Sequence, residues 1–582
     1  MRQTKSYSFL AVVLLLISVW YQHITYGNEK YERIVDSDGK GYYAYLPAIF
    51  IYHDLSFGFY FKEENKEIRR YFDERFLTQL GDKTVIKTYC GEAILMLPFF
   101  ASGCIFQYFI AGHTTGFEPT VQFFICLGAL FYLCLGLLAL HKLLRSFGFS
   151  DKVAFLTSLG LCLGTNLLTY AVFYPTMSHV YSFSMIACFI YLVCKFKQKP
   201  ESNAWLLLFL LFAIIILIRP VNGVLIVFPL ILIAREILSF LKNHFRLTIV
   251  AFSLFVAVIS IQPLLNYIQC RELFPWSYGD EGFYWRHPEY LKVLFSFRNG
   301  MFIYSPVLWL VIPGFALLFF RDKLFFLATF ITLLLSFYFI AAWWNWSSEP
   351  AMGNRSCIDW YAFFALPLAV TISQKSKLLK YLSSGILFLA VSLNGVFTWQ
   401  YLRDIIHPDG MTKEKFKYVF LKTSKAYYSC LGNGNEESFL PAENAPFFNY
   451  SSFDSSINNI TVFNDSVRNG MNITIENNSG ILKPMKAVVR LQRLEKEFKA
   501  CTDAFVFFDY LDKNGNLYYR ENLRINDIPR QQLNVWKSFE YTFVMPALKS
   551  ADDKLIFSID NSQGRQFEIK DLQVSLFHFA KR

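Results

Sequence analysis

Residues 204–234 read AWLLLFLLFAIIILIRPVNGVLIVFPLILIA, and this stretch decides the class of fold. Two apolar runs, 204–218 and 221–234, flank a single charged side chain, Arg219. A helix on a soluble core needs only one apolar stripe; a helix apolar on every side belongs inside hydrocarbon. Pro220 and Gly223 break the run, so the chain turns at Arg219-Pro220-Val221-Asn222-Gly223. That sets an arginine at a membrane boundary, as a snorkelling anchor or as a partner for an anion.

Runs of this kind recur along the chain, at 120–144, 152–172, 178–194, 247–266, 300–320, 324–342, 358–373 and 379–399. With 8–20 they make about eleven spans. Residues 8–20 follow Arg2 and Lys5 as a signal peptide would, but the bulky Ser18-Val19-Trp20-Tyr21-Gln22 offers no cleavage site, so this is an uncleaved first span. Basic residues then fall in alternate loops: Lys142 with Arg145, Lys195 to Lys199, Arg235 to Arg246, Arg321 with Lys323, and Lys375 to Lys380. The positive-inside rule makes these cytoplasmic. One outer loop, 267–299, departs from the pattern by holding Arg271, Arg286, Lys292 and Arg298. The scheme requires that the apolar run 91–111 not cross. It opens with Cys90-Gly91-Glu92 and contains Pro98, which suits a re-entrant or juxtamembrane helix.

The composition agrees. Hydrophobic residues make up 54% and charged residues 17% of 582, with 63 Phe, against about 25% charged in soluble domains. Mean hydropathy is +0.31. The net charge of +11 is accounted for by the cytoplasmic loops, and no basic-aromatic motif points to nucleic acid. Eleven cysteines form no CxxC pair; Cys126, Cys134, Cys162, Cys188 and Cys194 lie in spans as small hydrophobes. Cys430 and Cys501 are free to pair with each other or not.

Past the last span the pattern changes. Residues 400–455 are a mixed polar and aromatic linker. From 456 to 582, short alternating segments follow one another: 460–463, 471–475, 504–508, 539–543, 555–559 and 567–569. Asn469-Gly470, Asn514-Gly515 and Asn561-Ser562-Gln563-Gly564 supply turns. Period-two alternation with such turns predicts an antiparallel β-sandwich. The expected fold is thus a polytopic α-helical membrane domain, 1–399 with an outer loop 21–119, followed by an all-β domain.

Ionisable groups are nearly absent from the middle of the spans, the reverse of what a transporter needs. They gather on the outer side: Asp36, Asp38, Glu92, His179, Arg219, Arg271, Glu349, Arg355 and Asp359. The stretch 31–47, YERIVDSDGKGYYAYLP, places Asp36 and Asp38 two apart, so on an extended segment they would point the same way. Such a carboxylate abstracts a proton from an acceptor hydroxyl or ligates a divalent cation; a solvated loop acid is the bland alternative. His179, in Tyr174-Pro175-Thr176-Met177-Ser178-His179, is a candidate ligand for metal or phosphate, or a satisfied interfacial histidine. The loop 343–356, WWNWSSEPAMGNRS, offers Trp344 and Trp346 as faces for sugar rings and Arg355 as a phosphate clamp; an aromatic belt is the alternative.

This layout resembles the GT-C superfamily of integral-membrane glycosyltransferases, which use polyprenyl-phosphate sugars. The residues that carry the resemblance are Asp36 and Asp38 leading into Asp-Gly-Lys-Gly-Tyr-Tyr, then Leu97-Pro98-Phe99-Phe100, Arg219-Pro220 and the loop from Trp343 to Arg355. It covers about residues 1–399. The resemblance implies an essential acid in the first outer loop, Asp38 or Asp36, and a lipid-linked sugar donor. It also implies a divalent metal cation as a candidate cofactor; His179 stands where many members have an acid. The C-terminal part resembles carbohydrate-binding β-sandwich modules in pattern. The expectation is a glycosyltransferase of the plasma membrane, with its C-terminal domain outside, moving sugar from a polyprenyl-phosphate donor to a glycan, lipid or protein acceptor. Asp38 would be the base, Asp36 a metal or acceptor ligand, Arg219 and Arg355 the phosphate partners, and Tyr42, Trp344 and Trp346 substrate contacts. A lipid-linked glycan flippase or a non-catalytic assembly protein are the alternatives.

Overall fold

The computed structural model describes residues 34–62, 76–80, 83–278, 282–283, 285–286, 288–411, 413–428, 443, 445–452, 460–464, 466–467, 469–475, 479–483, 485–496, 504–524, 533–545, 547–561, 564 and 566–578. The expected first span, 8–20, and Cys430 and Cys501 lie outside them. Two compact units divide the chain, Met1–Trp399 and Gln400–Arg582.

The first unit is helical. Among the described residues six helices are long and apolar enough to cross a membrane: Gly91–Ala111, Pro119–Ser146, Ser178–Gln198, Phe245–Cys270, Lys323–Ala342 and Lys377–Leu402. Two bent pairs raise the number to eight, Asp151–Leu163 with Leu167–Phe173 at 62° and Pro220–Leu232 with Ala234–Asn243 at 85°. This is fewer than the eleven runs of the sequence, because an apolar run need not be one helix. Pro306 splits 300–320 into Met301–Tyr304, the 3-10 turn Pro306–Leu310 and Val311–Arg321. The run 358–373 is a 3-10 helix, Arg355–Phe364, that gives way to only eight α-helical residues, Ala365–Ile372. Ser202–Ile218 is 17 residues long and stops where Pro220 denies its backbone an N–H.

Gly91–Ala111 lies antiparallel along Pro119–Ser146: the Tyr132 hydroxyl donates to the Leu95 carbonyl, and Gly103 backs onto Val121. The connecting turn returns to the short helix Gly39–Phe50, whose Tyr43 hydroxyl donates to the Gly116 carbonyl and whose ring meets Phe100 and Phe117. The residues just ahead of Gly91 touch the same short helix, since Tyr45 donates to the Thr88 carbonyl at 2.8 Å. The helix Gly39–Phe50 has 12 residues, about 18 Å, against 21 residues, about 32 Å, for Gly91–Ala111, so the run expected to be re-entrant or juxtamembrane is long enough to cross a membrane.

The second unit is an antiparallel β-sandwich. Its strands, counted after the small hairpin β1 (Leu77–Leu80) and β2 (Lys83–Ile86), are β3 (Phe448–Ser451), β4 (Thr461–Phe463), β5 (Asn469–Ile475), β6 (Met485–Glu495), β7 (Phe505–Leu511), β8 (Leu517–Arg524), β9 (Lys537–Met545), β10 (Lys554–Asp560) and β11 (Phe567–His578). One sheet runs β5-β10-β7-β8, the other β3-β11-β6-β9 with β4 also on β11. Phe508 of one sheet meets Phe543 of the other at 5.0 Å between ring centres, within a core that includes Val489, Tyr510, Phe557 and Leu576.

Three strands were not legible in the sequence. β8 is an edge strand, and an edge needs no apolar alternation. β6 is central, but its pattern is hidden by Arg490 and by Arg493, which is fully buried with its guanidinium 3.9 Å from the centre of the Phe567 ring. β3 pairs with β11 through Ser451↔Gln573 to Phe448↔Leu576, so the sandwich takes in residues of the stretch 400–455, expected to be linker. Asn514-Gly515 does form the β7–β8 turn, with Gly515 at φ +83° and Asp512 accepting from the Asn514 and Asn516 amides. Asn469-Gly470, expected to be a turn, instead begins β5. The chain is thus a polytopic α-helical membrane protein with a C-terminal all-β domain.

Candidate active site

The acids and arginines at the ends of the apolar runs converge because four segments end at one place. The first is the start of helix Gly39–Phe50. Asp36, Ser37 and Asp38 are not extended, as the sequence reading supposed: Gly39 and Lys40 amides donate to the Asp36 and Ser37 carbonyls at 3.0 and 3.1 Å, making a turn with Ser37 at φ +52°. The two carboxylates therefore part company. Asp36 accepts from the Ser37 amide at 2.7 Å and pairs with Lys40 at 3.4 Å, one turn along the helix. Asp38 sits at the helix N-cap and reaches the other way, to Arg355. Gly39 makes this possible. A Cβ there would lie 2.1 Å from Thr176 Oγ1 and 2.9 Å from the Thr176 carbonyl oxygen, so only glycine lets this helix press onto the segment leading to His179.

The second segment is the N-terminus of Ser178–Gln198, which carries His179. The third is the break after Ser202–Ile218, where Arg219 is extended at φ −149° and Pro220 opens a 3-10 turn holding Asn222. The fourth is the 3-10 helix Arg355–Phe364. Three residues per turn stack Ser356 and Asp359 on one face, and both meet Arg219.

Asp359 is the centre of the buried part, fully shielded from solvent. His179 Nδ1 donates to its Oδ1 at 2.8 Å, while Arg219 Nη1 and Asn222 Nδ2 donate to Oδ2 at 3.1 and 3.0 Å. Arg219 Nη2 has the longer, 3.5 Å contact to Ser356 Oγ. Such charge-assisted bonds are what a buried carboxylate requires. Beside this cluster, Arg355 Nη2 donates to Asp38 Oδ2 at 2.7 Å and its Nη1 to the Pro350 carbonyl at 3.1 Å. The Asp38 side chain is 46% exposed and that of Arg355 only 10%. Enclosure by protein would raise the pKa of Asp38, but Arg355 first, then Lys87, His179 and Arg219, outweigh it and hold the carboxyl below its ordinary value.

Glu92 completes the group from the first turn of Gly91–Ala111. It is fully buried, and neither carboxyl oxygen has a hydrogen-bond partner among the described residues. Its electrostatic neighbours are Asp38, Asp359 and Arg219.

Of the residues singled out from sequence, Asp38, Arg355, Arg219, His179 and Tyr42 come together, with Tyr42 beside Ser178, the neighbour of His179. Asp36 stays on its own turn. Trp344 and Trp346 belong to the supporting loop: the Trp344 amide donates to the Gly282 carbonyl, and the Trp346 carbonyl accepts from Asn354 Nδ2 at 2.6 Å. That loop is tied down by Arg298, whose Nη2 and Nε reach Glu349 Oε2 at 2.7 and 2.9 Å. Asp359, Asn222 and Lys87 join the cluster in the folded chain. The signal for Asp359 was present: it is the lone acid inside the apolar run 358–373.

No group of three or more His, Cys, Asp or Glu side chains among the described residues is placed to hold a metal ion. His179 spends Nδ1 on Asp359, both Asp359 oxygens are taken, and Asp38 is held by Arg355. These residues do not form a metal-ligand set.

No protein-family model and no curated protein matches this chain. Among solved structures it is similar to ArnT from Cupriavidus metallidurans in the apo state, at 12% identity and a TM-score of 0.37, over 68% of this chain and 70% of that one. It is similar also to the arabinosyltransferase EmbB from Mycobacterium smegmatis, at 12% identity and a TM-score of 0.29, over 78% of this chain and 58% of that one.

Proposed function

We propose that the chain is a membrane glycosyltransferase that moves a sugar from a polyprenyl-phosphate donor to an acceptor at the outer face of the membrane. The observation that carries the reading is the contrast within the cluster: Asp38 is 46% exposed, while the partners arranged behind it are largely buried. One reachable carboxylate, backed by two arginines where apolar helices end, suits a lipid-borne anion meeting a polar acceptor.

The chemistry follows from the placement. An acceptor hydroxyl attacks the anomeric carbon while the bond from that carbon to the phosphate oxygen breaks, its electron pair leaving with the lipid phosphate. Asp38 takes the hydroxyl proton as the new bond forms, and the configuration inverts. Arg355 and Arg219 offer donors to the phosphate as its charge grows. Asp359 fixes Arg219 and His179 and is a positioning residue. In this reading Gly91–Ala111 does not cross, the site and the β-sandwich lie outside the cell membrane, and the loops at Lys142 and Lys195 lie inside, in keeping with the positive-inside rule.

The test is to incubate membranes containing the wild type or Asp38→Asn with a panel of labelled polyprenyl-phosphate sugars. Transfer from one donor, reduced about 10²–10⁴-fold in the variant at equal expression, is the expected result. Equal transfer by both proteins would remove Asp38 from the chemistry.

A further inference from the structure

The two ion pairs of the site differ in kind. Asp359 is fully buried and bonded by three side chains from two other segments, so Arg219 is anchored. Asp38 is half exposed, makes no side-chain capping bond to its own helix, and is held by one guanidinium nitrogen, Arg355 Nη2. The other Arg355 contact, to the Pro350 carbonyl through Nη1, does not depend on Asp38. The guanidinium is therefore tethered at one end and free to change partner at the other.

This arrangement conflicts with a constantly available base. A carboxylate engaged by Arg355, with Lys87, His179 and Arg219 also close, is a weak proton acceptor. A donor phosphate needs the same guanidinium, since a planar two-nitrogen fork matches phosphate oxygens as well as it matches a carboxylate. Asp38 and the phosphate cannot both have Arg355 at full strength.

We propose, on the basis of the glycosyltransferase reading above, that Arg355 is an exchangeable latch: it holds Asp38 in the donor-free chain and swings to the donor phosphate on binding, so that Asp38 becomes a competent base only in a loaded site. The cycle balances. The donor enters as a phosphodiester with one negative charge and draws Arg355 away. Attack by the acceptor hydroxyl breaks the bond from sugar to phosphate, and the lipid monophosphate gains the electron pair and a further negative charge, which strengthens its hold on Arg355. Asp38 carries the acceptor's proton. When the lipid phosphate departs, Arg355 returns and Asp38 gives that proton to water through its exposed edge. An empty site is thereby kept from activating water.

The test uses the full chain in nanodiscs, with a polyprenyl monophosphate as probe and no sugar. Native mass spectrometry measures lipid binding. A water-soluble carbodiimide, which reacts with protonated carboxyl groups, measures the state of Asp38 by peptide mapping. Each unit by which the pKa of Asp38 rises increases its protonated fraction about tenfold, so lipid should speed labelling of Asp38 about tenfold, with Asp36 as an internal control that stays constant. Arg355→Gln should label fast with or without lipid. Bound lipid with unchanged Asp38 labelling would overturn the latch while leaving the donor class standing. Failure of any polyprenyl phosphate to bind would overturn the donor class and the latch with it. If Arg355→Gln does not fold, the wild-type comparison with and without lipid still decides.

Discussion

Asp359→Asn separates the anchored ion pair from the exchangeable one. The carboxylate accepts three hydrogen bonds, from His179 at 2.8 Å, Arg219 at 3.1 Å and Asn222 at 3.0 Å. An asparagine supplies one accepting oxygen and two donor hydrogens. If the oxygen faces Arg219 and Asn222, the amide nitrogen faces His179 Nδ1, which must move its proton to Nε2 to accept. The shape then survives, but Arg219 keeps its charge without a counter-charge. Removing one partner of a buried pair costs about 3–5 kcal/mol; the Arg219 side chain is 23% exposed, so water recovers part of this and about 3 kcal/mol is expected. At 1.4 kcal/mol per factor of ten that is on the order of 100-fold in the folding equilibrium. Asp38→Asn removes a pair whose carboxylate is half exposed, worth about 0–1 kcal/mol. Purified wild type, Asp359→Asn and Asp38→Asn in one detergent would be heated and the surviving monodisperse fraction measured by size exclusion. Asp359→Asn should melt well below the other two. If it melts with the wild type while Asp38→Asn falls, the assignment of anchored and exchangeable pairs is backwards.

Gly39→Ala should cost both folding yield and transfer, because a methyl group would meet the backbone carbonyl of Thr176 at 2.9 Å as well as its flexible side chain; wild-type yield and rate would show that the two segments part without penalty. The acid limb of kcat/KM, which reports the free enzyme, should lie below the ordinary aspartate range, since Arg355, Lys87, His179 and Arg219 outweigh enclosure and the neighbouring Glu92 in setting Asp38. Activity is lost as pH falls through that value. The limb of kcat, which reports the loaded enzyme, should lie higher if Arg355 has moved, and coincident limbs would count against it. A fragment of residues 400–582 should give a β-rich circular dichroism spectrum and a cooperative melt. One starting at 456 lacks β3, which pairs with β11, and should melt lower; equal melting would make β3 dispensable.

The sequence alone determined the solvent of each half. Apolar residues on all sides of 204–218, with charge pushed to the ends, leave hydrocarbon as the only favourable surrounding, and no tertiary contact is needed to read that. Period-two alternation likewise marked six strands, because one buried face imposes it on any strand of a sandwich. Edge strand β8 escaped because an edge needs no apolar alternation, and the arginine-bearing β6 because its face is set by β9 and β11, far along the chain. The site was half legible. Asp38, Arg219, His179 and Arg355 stand out where an apolar chain tolerates few charges. Which of them pair was decided only in three dimensions. A turn at Ser37 sends Asp36 and Asp38 apart, Gly39 admits Thr176, and the stacking of Ser356 over Asp359 brings an acid from an apolar run onto Arg219. Hydrogen bonds between residues 317 and 140 positions apart, as for Arg355 with Asp38 and Arg219 with Asp359, leave no local trace in the sequence, because their energy depends on a separation that only the packed helices set.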